Sequence, residues 1–221
     1  MKKPVKILLI VLCTLVFTSA AAVFAVCLRL SDPGARVVFL SPSTQGANLY
    51  ADGVTTEREN MNLLADLVQA RLEARGFTVY RSDPDKTFRE AVDASNALAP
   101  SVHAALHTNA VGGENRGVRG CEVYVRRHDY RSLRLASCLY ESVSAATPTE
   151  DRGIKYTDTL SEVTDTASPC VLVELDFHDS PEGAAFLTGN REALADAVAD
   201  GISRYFEASV SWKLLLRSLL R

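Results

Sequence analysis

The stretch Val102-His103-Ala104-Ala105-Leu106-His107-Thr108-Asn109-Ala110 decides the fold. Val102, Ala104 and Leu106 alternate with His103, Ala105 and His107, which is the two-residue period of a β-strand. Thr108 and Asn109 are turn-forming, so His107 stands at the carboxyl end of that strand. His103 lies roughly 13 Å away along an extended chain, too far to share a metal ion with His107, and reads as a buried, hydrogen-bonded histidine.

Working outward, residues 37–40 form a short apolar run closed by turn residues, the mark of a buried first strand. From 56 to 75 the apolar residues Met61, Leu64, Ala65, Val68 and Leu72 recur at helical spacing, and Gly76 stops the helix. Strands at 77–80, 120–125 and 171–175 then alternate with helices at 86–98, 133–143 and 190–206. This alternation predicts one α/β domain, a largely parallel twisted sheet with helices on both faces. Ligands of such folds sit at the carboxyl ends of the strands.

The termini have a different character. Lys2, Lys3 and Lys6 precede an apolar run from 7 to 28, long enough to span a bilayer core of about 30 Å. Residues 1–30 are therefore expected to be a single-pass membrane anchor with the domain outside the cytoplasm. The small residues Ser19-Ala20-Ala21-Ala22 leave a cleaved signal sequence, and secretion, as the alternative. Residues 31–35 read as a linker, 36–206 as the domain, and 207–221 as a basic, leucine-rich tail that covers the domain or lies on a membrane.

The whole chain of 221 residues carries a formal charge of −3, but residues 31–221 hold 20 bases against 27 acids. An acidic exported domain is not a nucleic-acid binder. Cys121, Cys138 and Cys170 are too widely spaced for a zinc knuckle or a redox pair, which leaves one disulfide with one free thiol open.

Two carboxylates carry the chemistry. Thr56 and Glu59 fit a capping box, which places Glu57 at the first helical position, free to aim past the helix end. Taken alone, an acid there merely complements the helix dipole. Glu174 ends the apolar run 171–173, where an ionised side chain is costly unless it meets solvent, a metal or a partner. In metal-assisted hydrolysis such a group takes a proton from water and returns it to the leaving nitrogen. His178 follows four residues later.

In order and spacing, these segments resemble the zinc-dependent N-acetylmuramoyl-L-alanine amidases of bacterial cell-wall cleavage, over about residues 36–206. The resemblance implies a peptidoglycan substrate cut between N-acetylmuramic acid and L-alanine, with Zn2+ as cofactor. It makes Glu57 and His107, in the IHxN-like Leu106-His107-Thr108-Asn109, zinc ligands. Glu174, in the ExGF-like Glu174-Leu175-Asp176-Phe177, becomes the catalytic base. Gly120-Cys121-Glu122-Val123-Tyr124 and Arg152-Gly153-Ile154-Lys155 are further matches.

The family pattern DPGHGG is replaced by Ser41-Pro42-Ser43-Thr44-Gln45-Gly46, so Thr44 stands where a zinc-binding histidine belongs. Catalytic zinc normally keeps three protein ligands. Gln45, through a carbonyl better suited to harder ions, and His178, the better donor, are the candidates for the third. Asn109 is a candidate substrate contact. The alternative function is a non-catalytic peptidoglycan-binding or regulatory relative that kept the cleft and lost the metal.

Overall fold

The computed structural model describes residues 36–219 apart from 115, 116, 148, 150 and 151, with side chains as far as residue 208. The expected anchor at 1–30 and linker at 31–35 lie outside the described residues. Among those described, no helix is long and apolar enough to cross a membrane.

Six strands form one sheet: β1 (Val37–Pro42), β2 (Thr78–Arg81), β3 (Val102–Asn109), β4 (Glu122–Arg126), β5 (Ile154–Thr157) and β6 (Cys170–Phe177). Their spatial order is β2-β1-β3-β6-β4-β5. The helices are α1 (Glu57–Ala74), α2 (Phe88–Leu98), α3 (Tyr130–Ala146), α4 (Ser161–Thr164), α5 (Pro181–Gly189) and α6 (Arg191–Leu219).

The expectation of a largely parallel sheet needs one correction. β1, β2, β3 and β6 are mutually parallel, but β4 pairs antiparallel with β6, and β5 follows β4, so the sheet is mixed. Among the described residues, no helix lies between β3 and β4 to bring the chain back for a parallel pairing. The reversal brings the start of β4, rather than its end, to the carboxyl ends of β3 and β6.

The two faces of the sheet differ in kind. Val38, Leu40, Val102, Ala104, Leu106, Val123, Val125, Val171, Val173 and Leu175 point to one side. There they pack with Leu64, Val68 and Leu72 of α1, Leu135 and Leu139 of α3, and Leu194, Val198 and Ile202 of α6 as the main core. α3 and α6 approach so closely that a Cβ built on Gly201 would lie 2.7 Å from the Leu139 Cα, which explains a glycine in mid-helix. The other face carries a smaller apolar cluster of Ala105, Val163, Cys170 and Leu172, and α4 lies over it. Register puts Ser41, His103, His107, Glu174 and Glu122 on this thinner side.

The helix boundaries follow local chemistry. Thr56 caps α1 through a complete capping box with Glu59, and Gly76, at φ +79°, takes the left-handed turn that ends the helix. α6 continues past the expected end at 206 as one helix to Leu219, so no break separates domain and tail. Cys121, Cys138 and Cys170 are all free thiols, and no disulfide forms among them.

Candidate active site

Three parallel strands end at one corner, and the head of α1 points into it. The capping box holds the first turn of α1 in place, and Glu57, fully buried, reaches the end of β3. Glu57 Oε1 lies 3.0 Å from His107 Nδ1 and accepts the Thr108 amide at 3.2 Å. Glu57 Oε2 accepts from Asn48 Nδ2 at 2.8 Å, and Ser43 adds a further hydrogen bond. Burial alone would raise the Glu57 pKa, but the hydrogen bond and charge of His107, helped by Asn48 and Ser43, hold it below the usual carboxylate range.

His107 is clamped from both sides. Its Nε2 lies 3.3 Å from Oε2 of Glu162, a residue of the one-turn helix α4. Burial disfavours an imidazolium, yet Glu162 and Glu57 outweigh it and raise the His107 pKa well above the ordinary histidine value. Glu162 is correspondingly held well below the carboxylate range: burial works against ionisation, and His103 and His107 overcome it.

Glu174 is opposite His107 on β6 and opposite Glu122 on β4, so the three form a row across adjacent strands. Its Oε2 is buried and has no hydrogen-bond partner. Burial, reinforced by Glu57, Glu122 and Glu162 and opposed by His107, pushes its pKa up to about 7. Glu122 is the opposite case. Arg152 Nε at 3.1 Å, Lys155 Nζ, Tyr124 OH at 2.8 Å and Asn109 Nδ2 at 2.6 Å all donate to it. Burial would raise its pKa, and Lys155, Tyr124 and Arg152 lower it instead.

The structure thus brings Glu57, His107 and Glu174 together. Gln45 is exposed, and its Oε1 accepts from Asn48, the same amide that donates to Glu57, so it stands one side chain away from the pair. His178 is buried and committed elsewhere: its Nδ1 lies 3.0 Å from both the carbonyl oxygen and Oγ1 of Thr108, and its ring stacks on Tyr50. Asn109 spends its amide inside the protein, donating to Glu122 and accepting from the Ala110 N–H at 2.8 Å. Thr44 is partly exposed and offers only a hydroxyl where the pattern has an imidazole.

The donors match a divalent cation in type and charge but fall short of it in number. An imidazole and a carboxylate 3.0 Å apart suit Zn2+, and the surrounding carboxylates of Glu162 and Glu174 favour positive charge. They supply two ligands rather than three. Among the described residues no group of three or more His, Cys, Asp or Glu is arranged to hold a metal.

Sequence reasoning missed Glu162 and gave Glu122 no role. One helical turn is too short to show periodicity, so Glu162 reads as an ordinary loop acid. The signal lay in the altered pattern: SPSTQG removes an aspartate at position 41 as well as the histidine at 44, and the Ser41 hydroxyl now donates to Glu162.

Comparison with known proteins places the chain and its fold in a family. Residues 31–204 match the family described as N-acetylmuramoyl-L-alanine amidase. The chain is similar to protein YqiI of Bacillus subtilis (strain 168), 26% identical over 204 residues, covering 88% of this chain and 97% of that one. The fold is similar to the catalytic domain of CwlV, an N-acetylmuramoyl-L-alanine amidase from Bacillus (Paenibacillus) polymyxa var. colistinus. That match has a TM-score of 0.70 at 23% identity and covers 77% of this chain and 98% of CwlV's. It is also similar to the N-acetylmuramoyl-L-alanine amidase of Clostridium difficile 630, with a TM-score of 0.72 at 18% identity, covering 78% of this chain and 97% of the other.

Proposed function

The chain belongs to the N-acetylmuramoyl-L-alanine amidase family, and from that premise we propose that it hydrolyses the amide between N-acetylmuramic acid and the L-alanine of the peptidoglycan stem. The observation that carries the reading is Glu174: a carboxylate with a buried, unpartnered oxygen, beside His107 and at the open end of the strands. A group with a pKa near 7 suits both halves of the task, taking a proton from the attacking water and giving it to the leaving nitrogen. Glu57 and His107 would hold Zn2+, which supplies Lewis acidity toward the amide carbonyl and the water.

The other residues act through these. Thr108 N–H and Asn48 fix the Glu57 carboxylate. Asn109 binds Glu122, which with Arg152 and Lys155 forms a charged wall beside Glu174. Residues 1–30 would anchor the domain on the outer side of the membrane, where its polymer substrate lies; the support for this is the sequence alone.

One observation favours a second reading. With Thr44 in place of an imidazole, two donors bind zinc more weakly than three, and a protein without its metal would bind the stem peptide and leave it intact. Muramoyl peptides incubated with the full chain in the presence and absence of zinc separate the two. The amidase reading expects zinc-dependent appearance of free stem peptide. Saturable binding with no product in either condition would make the chain a binding relative.

A further inference from the structure

The end of the domain remote from Glu174 has a character of its own. β1, β2, β3 and β6 all start there, and β4, running the other way, finishes there at Arg126. The eight residues of β3 put about 25 Å between this end and the site corner. Between β4 and α3 the chain turns sharply at His128, whose φ of 61° is a left-handed conformation uncommon outside glycine. Arg127, His128, Tyr130 and Arg131 are left exposed by the turn, Tyr130 to 78%. β5 brings Tyr156 beside them, 47% exposed, with the Arg127 guanidinium 5.4 Å above its ring. A notch of about 260 Å³ lies between the two tyrosines, lined also by Leu133 and His128. The acids close by are Asp129, which caps α3 and pairs with Arg126, and Asp158, 3.3 Å from Arg127 Nε. In a domain where acids outnumber bases, residues 126–134 hold four arginines and one acid.

Both ends of the chain leave from here as well. Residue 35 joins the domain at Arg36, just before β1. A linker over 31–35 reaches about 17 Å at full extension, so an anchor ending at residue 30 keeps this end close to the bilayer. α6 passes it at Phe206, whose ring meets that of Phe77 at 5.2 Å, and runs on to Leu219, about 20 Å further along the axis. The sequence of that extension is leucine-rich and carries Lys213 and Arg217.

We propose that this end of the domain is a membrane-facing surface for a bilayer with anionic headgroups: Tyr130 and Tyr156 sit at headgroup level, and Arg127 and Arg131 meet lipid phosphates. Tyrosine suits that level because its ring is apolar and its hydroxyl stays wet. Arginine adds attraction to anionic lipid. The site corner then points away from the membrane, toward the wall polymer. The inference rests on the reading of residues 1–30 as an anchor.

The test reconstitutes the full chain into vesicles of phosphatidylcholine, with or without phosphatidylglycerol, and maps hydroxyl-radical labelling by mass spectrometry. We expect labelling of Tyr130 and Tyr156 to fall about threefold or more when phosphatidylglycerol is present. Phe88, which opens α2 on the site side of the sheet, should label equally in both lipids. High salt should restore the tyrosine labelling. Arg127→Gln combined with Arg131→Gln should abolish the difference between the lipids, with an unchanged thermal melt.

Equal labelling in the two lipids, from protein that resists an alkaline wash of the vesicles, would overturn the inference and leave the anchor standing. Protein removed by that wash would end the anchor reading instead. Flotation at neutral pH then decides the surface alone. Binding to phosphatidylglycerol vesicles that the double variant loses upholds it, and no binding, or binding that the variant keeps, ends it.

Discussion

Glu174 and Glu122 are neighbours in register on adjacent strands and share one face of the sheet, yet they have opposite surroundings. Glu122 is met by two cations, a phenol and an amide, and it ionises below the usual range. Glu174 has an oxygen with no partner, and burial lifts its pKa to about 7. A buried carboxylate surrounded by donors is part of the scaffold. One left without them has its proton available for chemistry. The same sheet thus builds a fixed wall and a reactive group one strand apart.

The strongest attempt to break this contrast is to neutralise each acid in turn. Glu174→Gln should lower turnover about 100- to 10,000-fold, measured as stem-peptide release, with little loss of stability. Glu122→Gln should do the reverse. It strands Arg152 and Lys155 beside a neutral amide, so the urea midpoint should fall by the equivalent of about 2 kcal/mol, while turnover of the folded protein drops less than tenfold. If the two variants lost activity equally while folded, the distinction would fail.

Stability against pH sharpens the contrast through its sign. The folded protein binds the Glu174 proton more tightly than the unfolded chain does. Wild type without metal should therefore lose stability relative to Glu174→Gln as pH rises from the ordinary glutamate value of 4.5 to about 7. The difference should be on the order of 2 kcal/mol and is read from thermal melts across that range. Glu122 has a lowered folded pKa, so its contribution is present above the unfolded value and is lost as pH falls through the folded one.

The smallest expected effect lies furthest from the chemistry. Thr56→Ala removes the cap that sets the first turn of α1, and with it the aim of Glu57, at about 1 kcal/mol of stability. Zinc affinity should fall with it, and melts with and without zinc would show both. Loss of stability with unchanged affinity would mean that Asn48 and Thr108 hold Glu57 without help from the cap.

Legibility in the sequence followed the strength of local signals. Glu57 was readable because Thr56 and Glu59 declare a helix start, and His107 because strict alternation places it near a strand end, although β3 runs two residues further to Asn109. Glu174 was readable because an acid ending a Val-Leu-Val run needs a reason. Glu162 was not, because its importance comes from groups 55 to 121 residues away in sequence, and its own helix has four residues. The direction of β4 was equally hidden, since a short apolar run carries no sign of its polarity. The short elements β5, α4 and α5 lack the length for a period to show.

The measurement that tests the account most directly is the appearance of new amino-terminal L-alanine in purified peptidoglycan treated with the full chain, stripped of metal and then restored with zinc. The account predicts alanine termini from the restored wild type and none from Glu174→Gln handled in parallel. Wall that is bound but acquires no alanine termini, with zinc present at a concentration that saturates the protein, would contradict it.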